Sequence, residues 1–231
     1  MIIKGLQKLT LLDFPDKMAC TLFTYGCNFR CPFCQNGSLV LPERRTDDLI
    51  AEDEFFAFLE KRRGLLEGVC ISGGEPTLMP DLPHFIEKIK SMGYPVKLDT
   101  NGYRPDVLEE LIKGGLLDYV AMDIKNSKER YGETTGIPDL DVKLIERSAE
   151  ILMSGSLPFE FRTTVLKSFH SIEDMHSIGA WLRGEERFFL QSFLDSGDLI
   201  CGGLIGYDKN EMLDLLNVLK QYVPNAALRG I

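Results

Sequence analysis

Histidine is nearly missing from this chain. Its 231 residues hold three, His84, His170 and His176, none with a partner at ligand spacing. All three read as ordinary helix and loop residues. Long apolar runs are missing too, so no segment has the length of a membrane span. The opening Met1-Ile2-Ile3-Lys4-Gly5 lacks a signal-peptide layout, and the expected compartment is the cytoplasm. Nor is there an excess of positive charge. Twenty-six Lys and Arg stand against 35 Asp and Glu, a net charge of −9, which argues against a nucleic-acid or anionic-membrane partner. The six cysteines show no even-spaced disulfide framework. Cys20 and Cys70 lie in apolar runs and read as small buried hydrophobes. Cys201, in a glycine-rich loop, has no assigned role.

The other three cysteines fall within eight residues, in Gly26-Cys27-Asn28-Phe29-Arg30-Cys31-Pro32-Phe33-Cys34, a CxxxCxxC pattern after a short apolar run. Three thiolates so close can converge on one metal centre. A structural zinc site would want four Cys or His ligands in two halves, and only one half is here. Full ligation of a [4Fe–4S] cluster takes four cysteines. The trio therefore suggests a cubane on Cys27, Cys31 and Cys34 with one iron open to a non-protein ligand. Three unconnected core cysteines are the plain alternative, but Gly, Asn and Arg around Cys27 and Cys31 are not core composition.

Downstream, short apolar strands alternate with amphipathic helices. Strands are expected at 18–23, 69–71, 96–99, 119–124, 159–166 and 187–193. Helices are expected between them, the last starting at a capping box of Asp208 and Glu211. That alternation calls for a parallel sheet covered by helices. About six β/α units are present, fewer than the eight of a full barrel. A doubly wound open sheet fits the periodicity equally. Without a linker, repeat or low-complexity stretch, the expectation is one domain over 1–231. Within it, 1–17 is a leader, 18–193 the barrel core and 194–231 a C-terminal loop and helix.

Polar groups gather at C-terminal strand ends. Gly73-Gly74-Glu75-Pro76 offers two residues without Cβ, whose peptide groups can approach a ligand, and a charge from Glu75; a tight turn is the plain alternative. Asp99-Thr100-Asn101 and Asp123-Ile124-Lys125 end the next two strands, where helix caps are also common. In a barrel, Asp99 and Asp123 are candidates to hold a monovalent cation, and Lys125 to pair a carboxylate. Arg162, inside an apolar strand, wants a buried anion, from a ligand or from a protein Asp or Glu. Gln191 is a further inward polar candidate.

The cysteine motif, with Phe33 before its third cysteine, resembles the radical S-adenosylmethionine (radical SAM) superfamily. The likeness extends through Leu12-Asp13-Phe14-Pro15, Ser72-Gly73-Gly74-Glu75-Pro76-Thr77, Leu98-Asp99-Thr100-Asn101-Gly102, Ala121-Met122-Asp123-Ile124-Lys125, Phe161-Arg162-Thr163-Thr164 and Leu228-Arg229-Gly230. Within the superfamily these stretches are similar to the anaerobic ribonucleoside-triphosphate reductase activating proteins, kin of the pyruvate formate-lyase activating enzymes. The resemblance implies an α/β fold, a partial (β/α)6 TIM-type barrel. It implies a [4Fe–4S] cluster on the three cysteines, with SAM chelating the fourth iron. SAM would be held by Phe33, Gly73, Gly74, Glu75, Asp99, Thr100, Asn101, Asp123, Lys125, Arg162 and Gln191. It implies reductive cleavage of SAM to a 5′-deoxyadenosyl radical, fed by flavodoxin or a similar reductant. The radical would install a glycyl radical on a partner enzyme of the anaerobic ribonucleotide reductase type. Gln191 stands where the pyruvate formate-lyase activases carry a SAM-touching His, and no cysteines remain for a second cluster. A small-molecule or peptide substrate, or a non-catalytic iron–sulfur or zinc module, are the other readings.

Overall fold

A computed structural model describes residues 1–44, 46, 48–184 and 187–230; Arg45, Asp47, Glu185, Glu186 and Ile231 lie outside the described residues. Among the described residues the elements run β1 (Ile3–Thr10), β2 (Ala19–Thr24), α1 (Gly37–Val40), α2 (Glu52–Lys61), β3 (Gly68–Gly73), α3 (Leu82–Ser91), β4 (Val96–Thr100), α4 (Pro105–Lys113) and β5 (Tyr119–Asp123). They continue through α5 (Tyr131–Thr135), α6 (Val142–Ser154), β6 (Phe159–Val165), α7 (Ile172–Trp181), β7 (Phe188–Ser192), α8 (Lys209–Leu219) and β8 (Ala227–Arg229).

Local chemistry explains the helix starts. Pro105 opens α4, where its missing N–H costs nothing. The Asp208 carboxylate accepts from the Asn210 and Glu211 amides, and Glu211 reaches back to the Asp208 amide, the expected capping box. Ser171 and Asp174 form a second box at α7. Each longer helix turns an apolar stripe onto the sheet; Phe85, Ile86 and Ile89 of α3 are fully or almost fully buried.

The strands lie in one sheet in chain order, β1 to β8. β2 through β8 pair in parallel and β1 runs antiparallel to β2. Chain order without reversal is the order of a barrel wall; a doubly wound sheet would need a switch point. The fold is thus α/β, with a mostly parallel, barrel-like sheet.

The six expected strands correspond to β2–β7. Two further strands were not foreseen. The leader holds β1, whose Lys4, Gln7 and Lys8 disguise it because it lies at a sheet edge. Residues 194–231 hold β8, whose three residues are too few for a periodicity. Past β1 the leader turns inward. Phe14 packs with Ala19 and Tyr119 in a small cluster of its own, at the N-terminal strand ends. A Cβ on Gly68 would lie 2.9 Å from the Phe14 ring, so the glycine makes room for it.

Candidate active site at the C-terminal strand ends

The cysteine loop that follows β2 and the ends of β3 through β7 line one cavity of about 230 Å³. In a flat sheet the ends of β2 through β7 would span about 24 Å, from five gaps of about 4.8 Å. Curvature brings them together. All fourteen residues singled out from sequence line this cavity: Cys27, Cys31, Phe33, Cys34, Gly73, Gly74, Glu75, Asp99, Thr100, Asn101, Asp123, Lys125, Arg162 and Gln191. Ser72, Thr164 and Asn36, given no role from sequence, line it as well.

The cysteine loop leaves β2 through Gly26, whose φ of 96° suits glycine. Its N–H donates to the Leu39 carbonyl at 2.7 Å, and its own carbonyl accepts from the Glu75 amide at 2.8 Å. A Cβ on Gly74 would lie 2.0 Å from that carbonyl, so the two loops touch only because Gly74 is there. The three cysteines are free thiols, Cys31 buried and the others half-buried. Burial pushes all three upward, Cys27 to about 12 and Cys31 to about 11, and Lys125 pulls each back in part. The Phe29 amide donates to the Cys27 sulfur at 3.3 Å, ready to support a thiolate. Soft sulfur donors with displaceable protons suit a thiophilic metal centre. Among the described residues no three ligating groups converge on a point for one ion.

Two segments brace this loop. The Thr135 carbonyl, at the end of α5, accepts from the Arg30 amide at 2.8 Å. The 194–206 segment straps the other side: the Cys201 amide donates to the Pro32 carbonyl at 2.8 Å, and Asp198 accepts from the Ser38 amide and hydroxyl. Residues within 126–140 and 193–208 thus hold the cysteine loop in place. Phe33 packs under the loop against Phe169, ring centroids 5.7 Å apart, and against His170.

Glu75 is fully buried. Burial raises its carboxyl, and donors from Thr77, Asn101 and Thr100 oppose that. One oxygen, Oε1, accepts from the Thr77 amide (3.1 Å), the Thr77 hydroxyl (2.5 Å) and the Thr100 hydroxyl (2.8 Å). The other, Oε2, accepts from the Asn101 amide at 2.6 Å. Glu75 therefore ties the end of β3 to the end of β4, and only Oε2 retains capacity toward the cavity. Asn101 in turn donates to Asn28 at 2.8 Å, reaching the cysteine loop.

Charges at the mouth form one network. Register puts Asp123 opposite Arg162, and the Arg162 Nε donates to Asp123 at 2.9 Å. Its Nη1 donates to Asp99 at 3.3 Å. Lys125 pairs with Asp123 at 3.0 Å, and Lys97 with Asp99. Of the partners the sequence left open for Arg162, the protein carboxylates are present. Asp99 and Asp123, the candidate holders of a monovalent cation, meet three protein cations. Burial disfavours the Asp123 charge, but Arg162 and Lys125 outweigh it and hold the carboxyl at about 2. Removing one partner would leave a half-buried charge without compensation. Lys97 escaped the sequence reading, although a charge inside Val96-Lys97-Leu98-Asp99 carries the same signal that exposed Arg162.

The family model of the Radical SAM superfamily matches residues 21–177. A Methanocaldococcus jannaschii protein, provisionally named a glycyl-radical enzyme activating enzyme, is 32% identical over 238 residues, covering 100% of this chain and 96% of that one. A Sulfolobus acidocaldarius protein, provisionally named GTP 3′,8-cyclase, is 32% identical over 149 residues, covering 62% of this chain and 45% of that one. Among solved structures, Streptococcus suis SuiB bound to the precursor peptide SuiA superposes with a TM-score of 0.68 at 17% identity, over 91% of this chain and 48% of that one. The chain thus spans nearly all of the first relative and less than half of the other two. The family model over most of the chain and the relative matched end to end show that the chain belongs to the radical SAM superfamily.

Proposed function

We propose that this protein is a glycyl-radical-enzyme activase whose acceptor is a backbone glycine in a partner of the anaerobic ribonucleotide reductase type. The carrying observation is the end-to-end similarity to the M. jannaschii protein, 96% of whose length is covered. The match to the cyclase covers 45% of that protein and leaves its remainder without a counterpart here.

The residues present fit the cofactors of the family. Cys27, Cys31 and Cys34 would hold a [4Fe–4S] cluster, and the strand-end groups would hold SAM. When bound, the pair supplies one-electron cleavage of a carbon–sulfur bond, with flavodoxin or a similar donor as electron source. The chain's own part is orientation and charge. Gly73 and Gly74 present backbone without side-chain bulk. Lys125 keeps positive charge beside the thiols, and Arg162 keeps it between Asp99 and Asp123. Phe33 and its aromatic neighbours exclude water beneath the cysteine loop. The same reading treats residues 1–231 as one domain.

Anaerobic reconstitution followed by dithionite and SAM tests this. Expected are about four irons per chain, the content of one cubane, and 5′-deoxyadenosine by chromatography. Adding a candidate glycyl-radical enzyme should then produce a glycyl radical signal by electron paramagnetic resonance. Consumption of a small molecule or peptide, with no radical on any such enzyme, would replace the activase reading. Zinc in place of iron and no SAM binding would remove it.

A further inference from the structure

Lys97 lies on β4 two residues before Asp99, so both side chains share one face of the strand. It is 1% exposed, among the most deeply buried side chains of the protein. Its ammonium bonds the Asp99 Oδ1, with the Cys70 sulfur 3.9 Å away. The other Asp99 oxygen accepts from the Ser72 hydroxyl at 3.0 Å and from Arg162. Both oxygens of Asp99 are therefore engaged from inside the protein. Asp123 is likewise engaged, one oxygen by Arg162 and the other by Lys125.

Two half-buried carboxylates facing one cavity are held ionised by the positive charge beside them. Arg162 is shared between them, and Lys125 belongs to Asp123. Without Lys97, Asp99 would depend on its share of Arg162 or on an ion from solution. An ammonium is a compact univalent charge. We propose that Lys97 is a tethered monovalent cation, neutralising Asp99 from the barrel side so that Asp99, Arg162 and Asp123 keep their arrangement without an ion from solution. Lys97 acts through Asp99 and is a positioning residue.

The test uses the full chain, before and after cluster reconstitution. Two quantities are measured in sodium, potassium and tetramethylammonium chloride at equal ionic strength: the thermal midpoint and the equilibrium affinity for SAM. Tetramethylammonium has no N–H and keeps its charge behind four methyl groups, so it cannot replace a small cation on a carboxylate. The wild-type protein should keep its midpoint, and its affinity within about twofold, in all three salts. A loss of about tenfold in tetramethylammonium, reversed by sodium or potassium, would overturn the proposal.

Lys97→Ala should lower the midpoint and weaken SAM binding about tenfold or more. Ammonium or methylammonium chloride should recover a large part of both losses, and tetramethylammonium none. Lys97→Met fills the space without charge; it should lose affinity as the alanine variant does and recover nothing. A folded Lys97→Ala protein that no small cation rescues would overturn the proposal, as would wild-type behaviour of Lys97→Met. If Lys97→Ala does not fold, the wild-type salt series and Lys97→Met decide. The midpoint of the cluster-free chain is independent of the activase reading, so the two can fail separately.

Discussion

At the scale of single residues, the site separates side chains that meet a ligand from those that hold the fold around it. Cys31 belongs to the first group. Cys31→Ala should leave the far-ultraviolet circular dichroism of the barrel unchanged while iron after reconstitution falls toward zero and 5′-deoxyadenosine disappears. A variant that still made the product would remove the cluster assignment. His170 belongs to the second group. Its Nε2 faces the Lys125 carbonyl at 2.8 Å, and its Nδ1 faces the Leu166 amide at 3.4 Å. A carbonyl on one side and an N–H on the other call for the neutral ring with its proton on Nε2. Burial lowers its pKa to about 4, although the Lys125 carbonyl opposes the shift. Below about 6.5 the unfolded chain binds a proton that the native ring refuses. Stability should therefore fall as pH drops from about 6.5 to about 4, by at most roughly 3 kcal/mol from this residue, and be indifferent to it above. Urea unfolding of wild type and His170→Gln across that window checks the sign, the variant giving the flatter profile.

Elements act here mainly as braces. α5 ends at Gly136, with a φ of 69°, and a Cβ there would lie 2.5 Å from the Arg30 carbonyl in the cysteine loop. Gly136→Ala therefore adds a clash to left-handed strain of about 1–2 kcal/mol. Gly115, with a φ of 64° and open space where a Cβ would go, carries strain alone. Gly115→Ala should lower the thermal midpoint modestly and retain iron normally. Gly136→Ala should lower it further and lose iron faster under a chelator, because Thr135 and Arg30 would no longer meet. Equal iron retention in the two variants would show that α5 does not secure the loop.

At the scale of the whole molecule, the N-terminal leader is part of the barrel. β1 covers the outer edge of β2, and Phe14 seals the N-terminal strand ends on Gly68, Ala19 and Tyr119. Removing residues 1–17 should leave an exposed parallel edge and an unfilled barrel floor. Phe14→Ala alone should cost about 3–5 kcal/mol, the usual loss for a buried phenylalanine. The deletion should cost more and yield aggregated protein, read by size-exclusion chromatography. A monodisperse deletion with the wild-type midpoint would show that the leader is dispensable. Among the described residues no helix is long and apolar enough to cross a membrane.

Local pattern determined much of this protein. Alternating apolar runs marked β2–β7, the Asp208–Glu211 box marked the start of α8, and polar clusters after apolar runs placed candidate residues at the C-terminal strand ends. Each of these signals lies within a few residues, where spacing carries structure directly. Partnership was decided only by the tertiary structure. Arg162 announced a need for an anion, but register and curvature supplied Asp99 and Asp123 from two other strands. Glu75 looked like a ligand arm until burial spent most of its carboxylate on Thr77, Thr100 and Asn101. Lys97, a charge inside an apolar strand like Arg162, was legible as buried, but its partner Asp99 was settled only by the fold. β1 and β8 were hidden, the first by the polar side chains of an edge and the second by its brevity. A strand announces which side chains share a face, but the charge that answers across that face comes from residues dozens of positions away, and only the folded sheet brings it there.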